Sequence, residues 1–201
     1  MDTVFFDIDT QFDFMDPKGT LYVPGSQEIA PNIRRLLEHA TGHGITTISA
    51  MDAHVVNDPE FEQYGAHCVE GTPGQRRCFD DLPQLPRRLW PADARYEAAD
   101  LKLEPGHHYV VQKRTFAMFA NPWLAALRKE GVFHHRPAVV FGVATDVCVL
   151  RDVLDLCQAG ARVRVVRDAI AGLTPAGTER ALQEMQDAGA TFVTTDEIVR
   201  G

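Results

Sequence analysis

The chain has 201 residues, of which 45% are hydrophobic and 24% charged, and its formal net charge is −8 at pH 7. This size and composition predict one globular domain over residues 1–201, large enough to bury a core without disulfides or metal ions as staples. The acidic balance argues against nucleic acid or an anionic membrane as a partner, because the densest basic cluster is only the pair Arg87 and Arg88, and it favours a small-molecule substrate.

The N-terminal sequence, MDTVFFDIDTQ, has no basic region and contains acidic residues within its short apolar segment. It therefore resembles neither a secretion signal nor an anchor, and no apolar run approaches the ~20 residues of a membrane span. The cysteines form no Cys-x-x-Cys pair, which is more typical of a reduced intracellular protein than of a disulfide framework. We expect a cytoplasmic protein with no membrane association.

Predicted strands and helices alternate along the chain. Short apolar runs predict six strands, at 3–8, 45–51, 108–112, 137–142, 162–166 and 190–195. Apolar residues at helical spacing predict four helices, at 31–44, 121–131, 145–160 and 174–189, the last with Thr174 as its N-cap. This alternation predicts an α/β fold: a six-stranded, mostly parallel sheet with helices on both faces, in a Rossmann-like three-layer αβα arrangement.

One stretch, from residue 52 to about 106, fits none of these elements. It is rich in proline, glycine and charge, and it is too long for a loop without a function. We expect this insert to contain short elements of its own and to serve as a lid or as an extended wall of the site.

Reactive side chains follow four of the predicted strands. Ligands of an open parallel sheet bind outside the carboxyl ends of its strands, so these side chains are expected to meet in one cleft. They are Asp9, with Asp13 and Phe14 behind it, then Asp52 and His54, then Lys113, and finally Cys148.

Cys148 lies where an apolar run breaks at Gly142 and a helical pattern begins. The partial positive charge at a helix N-terminus favours thiolate over thiol, which predicts a nucleophile at neutral pH. Asp9 is then a candidate for taking the thiol proton, and Lys113 for stabilising the anion. The backbone amides near Ala144 and Cys148 are candidates for an oxyanion site. The alternative is a packed, inert core thiol, a common environment for cysteine.

A candidate metal site follows the second strand. Asp52 and His54 form an Asp-x-His motif, and His67 follows fifteen residues after Asp52. One carboxylate and two imidazoles suit a divalent metal such as Zn²⁺, Fe²⁺ or Mn²⁺, with open positions for water and a ligand. Glu60 is a candidate fourth ligand. The alternative is that these are solvated loop histidines.

The N-terminal sequence FFDIDTQ also resembles the first motif of haloacid-dehalogenase-type phosphatases, in which a strand ends in Asp-x-Asp. Those motifs place Thr or Val two residues after the second Asp, where this chain has Gln11. No paired acids follow a late strand to hold Mg²⁺. These differences disfavour the phosphatase alternative.

Five motifs in one order resemble those of the isochorismatase-like cysteine hydrolases, and within them most of all the nicotinamidases. The motifs span nearly the whole chain, and their order is more specific than any one of them. They are DTQFDF (9–14), MDAH (51–54), HCVEGTPG (67–74), QKRTFAMF (112–119) and GVATDVCV (142–149).

This resemblance implies an isochorismatase-like hydrolase fold with Asp9, Lys113 and Cys148 as a catalytic triad. It also implies a non-prolyl cis peptide between Val143 and Ala144, with the N–H groups of Ala144 and Cys148 directed at an oxyanion. The thiolate attacks a carboxamide carbon, ammonia leaves with a proton from Asp9, and water hydrolyses the thioester.

The retained metal motif favours the nicotinamidase branch, where the resemblance implies that the metal binds the pyridine nitrogen of nicotinamide, a substrate of NAD salvage. Aromatic side chains would form the walls around the ring: Phe14, Tyr64, Phe116 and Phe119. Nicotinamidases typically have Trp in place of Tyr64, and residues 116–119 read Phe-Ala-Met-Phe where many have Tyr-Ser-Gly-Phe.

Two alternatives remain beside a metal-assisted amidohydrolase acting on a small carboxamide. One is a metal-independent relative that acts on another amide or on a vinyl ether. The other is a non-catalytic relative that binds a metabolite. Because relatives commonly associate, we also expect a homo-oligomer.

Overall fold

The computed structural model describes residues 2–83 and 85–201. Seven strands in this part of the chain form one sheet, and every neighbouring pair is parallel. The strands are β1 (Val4–Ile8), β2 (Thr46–Asp52), β3 (Arg87–Trp90), β4 (His108–Lys113), β5 (Pro137–Val143), β6 (Arg162–Ala171) and β7 (Thr191–Val193). Their order across the sheet is β3-β4-β2-β1-β5-β6-β7.

The predicted α/β class and parallel sheet are confirmed, but the predicted number of six strands is wrong. The additional strand, β3, lies at the edge of the sheet and pairs only with β4 among the strands described. It has four residues between Pro86 and Pro91, and its first three side chains are exposed. Such a short, charged segment has no apolar periodicity, so the sequence pattern did not predict it.

Seven α-helices accompany the described strands: α1 (Phe12–Met15), α2 (Ser26–Gly42), α3 (Phe61–Tyr64), α4 (Pro122–Lys129), α5 (Leu150–Gln158), α6 (Pro175–Asp187) and α7 (Thr195–Val199). The four predicted helices correspond to α2, α4, α5 and α6. Thr174 is the N-cap of α6, as predicted, and its hydroxyl accepts the Gly177 N–H at 3.0 Å. The helix predicted at 145–160 is divided, because a π-helical turn (Thr145–Val149) precedes α5.

Helices cover both faces of the sheet, as predicted. Phe6 of β1 packs in a core with side chains of α4, α5 and α6, whereas the adjacent Phe5 packs on the opposite face with side chains of α2 and α7. Successive side chains of a strand point to opposite faces, so one run of apolar residues fills both cores. Within the described residues, no helix is both long and apolar enough to cross a membrane.

The strand order determines where the site lies. The four strands that precede the predicted reactive residues, β4, β2, β1 and β5, are consecutive in the sheet. Their carboxyl ends therefore form one continuous edge. The stretch between β2 and β4 contains α3, β3 and two 3₁₀ turns, at Pro73–Gln75 and Ala98–Asp100, so it has short elements of its own, as expected.

Candidate active site

Lys113 joins the reactive side chains at this edge. Its Nζ lies 2.8 Å from Oδ2 of Asp9 and 2.5 Å from Oδ1 of Asp52. The same Nζ lies 3.9 Å from Sγ of Cys148. All four residues are buried. The structure therefore brings together four side chains that the sequence placed at the ends of four different strands.

Gln11 holds the ends of β1 and β2 in register. Its side-chain amide accepts the Asp52 N–H at 2.7 Å and donates to the Asp52 carbonyl oxygen at 2.9 Å. Asp9 has a φ of 49°, a left-handed conformation that is unusual for a residue other than glycine. In the sequence, Gln11 distinguishes the N-terminal motif from that of a phosphatase, but nothing in the motif indicates that its buried side-chain amide binds the backbone of Asp52.

Cys148 lies in the π-helical turn that links β5 to α5. The Val143–Ala144 peptide before this turn is cis, as the family resemblance implied. The Ala144 carbonyl oxygen accepts the N–H groups of Val147 and Val149 at 3.1 Å each. Gly142 has a φ of 117°, and a Cβ there would lie 2.1 Å from the Ile8 carbonyl oxygen, so β1 and β5 approach too closely for any side chain.

The protonation of Cys148 depends on burial and on its charged neighbours as well as on the helix end. Burial raises the pKa of the Cys148 thiol well above its usual range; the positive charge of Lys113 lowers it, while the negative charge of Asp9 raises it. Forming an isolated anion in this buried cluster is costly because burial removes most of the hydration that stabilises a charge. The thiol can lose its proton only if a neighbour accepts it.

Asp9 is suited to accept that proton. Burial raises the pKa of Asp9 to about 7; Lys113 opposes this shift and the charge of Asp52 adds to it. Burial alone would also raise the pKa of Asp52, but Lys113 and a hydrogen bond from His54 lower it overall. Burial lowers the pKa of Lys113, but the charges of Asp52 and Asp9, with smaller contributions from Cys148 and Asp152, raise it overall, which favours a protonated lysine. Asp9 is thus the carboxyl whose charge changes near neutral pH.

The predicted metal ligands also converge. Ligand atoms of Asp52, His54 and His67 all lie within 4.8 Å of one another, and the three residues are buried. Oδ2 of Asp52 lies 3.7 Å from Nε2 of His54 and 3.8 Å from Nε2 of His67. Two ligands of one tetrahedral zinc ion, each about 2.0–2.2 Å from it, lie about 3.3–3.6 Å apart, which is close to the two distances from Asp52. The three residues therefore fit a shared ion of the predicted type.

The other ring nitrogen of each histidine has an oxygen atom within about 3 Å. His54 Nδ1 lies 3.0 Å from Oδ2 of Asp58, and His67 Nδ1 lies 2.8 Å from the Gly65 carbonyl oxygen. Such partners fix the tautomer and direct Nε2 toward a metal. Glu60, the candidate fourth ligand, has Oε1 3.9 Å from Nε2 of His67. Asp58 was not predicted, because the contact depends on how the loop folds back.

A pocket opens over these residues, and its lining includes Cys148 together with Asp52, Glu60 and His67. Three of the four predicted aromatic residues line it: Phe14, Tyr64 and Phe116. The ring centroid of Phe14 lies 5.5 Å from that of His67, and the Tyr64 and Phe116 rings meet edge to face at 5.6 Å. The remaining side chains of the pocket are largely apolar: Leu21, Val23, Val143, Val147 and Leu173.

Phe119 does not line the pocket, contrary to the prediction. Its ring packs in the core against Phe133, with centroids 5.7 Å apart, and the Arg128 guanidinium lies 5.2 Å from its centroid. The 3₁₀ turn at Met118–Ala120 reverses the chain between Phe116 and Phe119. One aromatic residue therefore faces the pocket and the other the interior.

Comparison with known proteins gives a consistent assignment. Residues 3–197 match the family model of the isochorismatase domain. The chain is 30% identical over 205 residues to the nicotinamidase of Escherichia coli, covering 93% of this chain and 92% of that protein. It is also 30% identical over 193 residues to the nicotinamidase/pyrazinamidase of Mycobacterium tuberculosis, covering 92% and 95%. The crystal structure of Pyrococcus horikoshii pyrazinamidase in complex with zinc is 27% identical and superposes with a TM-score of 0.75, covering 96% and 99% of the two chains.

Proposed function

Since the chain belongs to the isochorismatase family, whose model it matches over residues 3–197, we propose that this hydrolase is a cysteine-dependent amidohydrolase that releases ammonia from nicotinamide or a related small carboxamide. One observation carries the proposal. Lys113 bridges the carboxylates of Asp9 and Asp52 and lies 3.9 Å from the Cys148 sulfur, beside a pocket that ligands of the candidate metal site also line. A nucleophile, a base and a cation are thus within reach of one bound molecule.

The reaction begins with proton transfer from the Cys148 thiol to Asp9. The transfer moves a charge within the cluster without adding one, so it avoids the cost of creating a new buried anion. Lys113 stabilises the resulting thiolate electrostatically. The pKa of Asp9, about 7, suits a residue that must both accept and release a proton at neutral pH.

The thiolate sulfur then attacks the carboxamide carbon, and the backbone N–H groups of Ala144 and Cys148 are proposed to stabilise the oxyanion. The carbon–nitrogen bond breaks, and the departing nitrogen takes the proton from Asp9 and leaves as ammonia. Asp9 next accepts a proton from water, whose oxygen attacks the thioester carbon. The carbon–sulfur bond breaks, the proton returns to the sulfur, and the carboxylic acid is released.

Asp52, His54 and His67 would hold a divalent metal, with Glu60 as a further ligand. A bound Zn²⁺, Fe²⁺ or Mn²⁺ would supply a Lewis-acidic position that accepts a ring nitrogen of the substrate. Asp52 would link the two halves of the site, because Oδ1 contacts Lys113 and Oδ2 faces the two histidines. The aromatic rings of Phe14, Tyr64 and Phe116 would bind the faces and edges of a small heteroaromatic ring.

The first test is ammonia release from nicotinamide, pyrazinamide and simple aliphatic amides, with and without added Zn²⁺, Mn²⁺ or Fe²⁺. The proposal predicts turnover of the heteroaromatic amides that is lost with chelator and restored by metal. Turnover unaffected by chelator would favour a metal-independent relative. No ammonia from any carboxamide under reducing, metal-replete conditions would favour a protein that only binds a metabolite.

Replacing the nucleophile tests the mechanism directly. We expect Cys148→Ala to lower kcat by at least about 10⁴-fold, because no other thiol lines the described pocket. Cys157→Ala is the matched control, since Cys157 is a half-buried thiol on α5 away from the pocket. It should retain activity. Circular dichroism and a thermal melt should show that both variants fold, and ammonia release by Cys148→Ala would refute the cysteine mechanism.

A further inference from the structure

Asp152 is a buried acid that the mechanism above does not use. It lies on α5, about one helical turn after Cys148, and has no solvent exposure. Its Oδ1 accepts the Met118 N–H at 2.8 Å. Its Oδ2 is buried and has no hydrogen-bond partner among residues 2–83 and 85–201.

The surroundings of Asp152 favour a neutral carboxylic acid. Within the described part of the chain, no cation forms an ion pair with it, whereas the neighbouring Asp155 pairs with Arg128 and Arg151. A buried carboxylate with a single N–H donor would lack most of the stabilisation that it has in water. Burial accordingly raises the pKa of Asp152 well above its usual range; of the charged groups that act on it, Lys113 lowers the pKa, and Asp9 and Asp155 raise it.

The hydrogen bond from Met118 to Asp152 connects the turn that follows Phe116 to the helix that follows Cys148. Met118 begins the 3₁₀ turn that follows Phe116, and Phe116 is part of the pocket wall. Asp152 belongs to the helix that begins just after Cys148. The bond joins the backbone of the turn to α5, and the buried Met118 side chain packs in the same core.

We propose that Asp152 is a positioning residue, which as a neutral acid holds the backbone at Met118 and thereby fixes Phe116 relative to the Cys148 nucleophile. The inference rests on the proposed function, because it assigns Phe116 to the binding of a ring carboxamide. Asp152 itself touches neither the reacting atoms nor the pocket. Its effect is therefore on the binding of the ring rather than on the chemical step.

The experiment compares Asp152→Asn with Asp152→Leu. Asn keeps a carbonyl oxygen for the Met118 N–H and matches a neutral acid, whereas Leu has a similar volume but no acceptor. For the Leu variant we expect KM for nicotinamide to rise about tenfold with kcat within about threefold of wild type, because the wall is displaced but the catalytic cluster is not. The Asn variant should keep KM within about threefold and show the wild-type pH profile.

Asp155→Asn is the matched control, because it also replaces a buried acid of α5, but one that faces Arg128 and Arg151 rather than the pocket turn. Its KM should match wild type even if its melting temperature falls. An Asp152→Asn protein as impaired as the Leu variant, or one with an altered pH profile, would show that Asp152 acts as an anion and would overturn the proposal. Loss of kcat at constant KM in the Leu variant would overturn it as well.

A second measurement does not depend on any substrate. Amide hydrogen exchange at Met118 should be about tenfold faster or more in Asp152→Leu than in wild type, and near wild type in Asp152→Asn. Unchanged exchange in the Leu variant would overturn the positioning role. If the wild-type protein releases no ammonia from any carboxamide, the proposed function fails, and the exchange rates still decide whether Asp152 holds the turn.

Discussion

Two buried polar clusters include residues on or just after the same three strands, β1, β2 and β4, but they differ in charge balance. Cys148 and Arg77 join them from other segments. The site cluster, at the carboxyl ends of the strands, consists of Asp9, Asp52, Lys113 and Cys148. The framework cluster, further back along the strands, consists of Asp7, Ser49, Arg77 and His108. Both contain residue types that occur in catalytic triads, and all eight residues are buried.

In the framework cluster the charges are matched. Arg77 Nη2 donates to Oδ2 of Asp7 at 2.7 Å, and Ser49 Oγ donates to the same oxygen at 2.8 Å. Ser49 Oγ also lies 2.9 Å from His108 Nε2. Burial, with the charges of Arg77 and Arg87, lowers the pKa of His108 to about 3, so this histidine is neutral at physiological pH. Within this cluster the ion pair of Arg77 and Asp7 therefore joins one cation and one anion.

In the site cluster two carboxylates share one ammonium group beside a thiol. Burial raises the pKa of Asp9 to about 7, and the negative charge of Asp52 adds to this shift although Lys113 opposes it, so Asp9 can bind and release a proton near neutral pH. The contrast shows that residue type alone does not separate a structural cluster from a reactive one. What separates them is an excess of negative charge in a cluster that lines a pocket.

The sharpest test of this contrast is the pair Asp9→Asn and Asp7→Asn, two residues apart on one strand. Asp9→Asn should lower kcat/KM by about 10³-fold or more, because no base remains for Cys148, while the free energy of unfolding stays within about 1 kcal/mol. Asp7→Asn should lower the free energy of unfolding by about 3 kcal/mol, since the buried Arg77 loses its buried anion and keeps only the exposed Asp80, at 3.1 Å. Ammonia release and urea unfolding measure the two quantities.

Asp9→Asn should thus lose activity but little stability, whereas Asp7→Asn should lose stability but little activity. The Asp7 variant, assayed at a temperature where it is folded, should retain most of the wild-type kcat/KM. Equal losses of activity in both variants, or a severe loss of stability in Asp9→Asn, would mean that the two clusters do not differ in the way their charges indicate.

A smaller effect, on metal affinity, is expected from replacing Asp58, which contacts the candidate metal ligand His54. Asp58→Asn should weaken Zn²⁺ binding by about 10–100-fold, because the carboxylate at 3.0 Å from His54 Nδ1 fixes that ring and strengthens it as a ligand. Competition with a chromophoric chelator measures the affinity without relying on turnover. Asp80→Asn, which alters an exposed acid of the same insert, is the control. Equal Zn²⁺ affinities of the two variants would show that Asp58 does not support the metal site.

The pH dependence of kcat/KM should report the titration of Asp9. With pKa about 7 for Asp9 in the free enzyme, activity toward an uncharged carboxamide should be present above pH 7 and fall about tenfold per unit below it. The contribution of Asp9 to the free energy of unfolding changes with pH in the opposite direction to activity. A carboxyl whose pKa is raised on folding makes the protein less stable as the pH rises from about 4 to 7, and this slope should be absent in Asp9→Asn. A flat profile between pH 5.5 and 8 would contradict the assignment of Asp9 as base.

Much of the fold and of the site follows from the sequence alone. Apolar runs that alternate with helical patterns predict a parallel sheet, since the side chains of such strands are buried on both faces. Polar residues directly after those runs lie at one edge of the sheet, which is why Asp9, Asp52, Lys113 and Cys148 could be named as neighbours. The metal ligands were predictable for the same reason, because Asp52 and His54 follow β2 directly.

Tertiary structure alone decided the rest, because these features depend on contacts between segments with no common pattern. Strand β3 forms by pairing with β4, and Phe119 faces the core because a 3₁₀ turn reverses the chain after Phe116. The partners of Gln11 and Asp152 lie far away in the sequence. The charge state of Cys148 is decided by the sum of burial and neighbouring charges. The sequence by itself determined which chemical groups meet at the edge of the sheet, and only the packed structure decided which of them holds a proton.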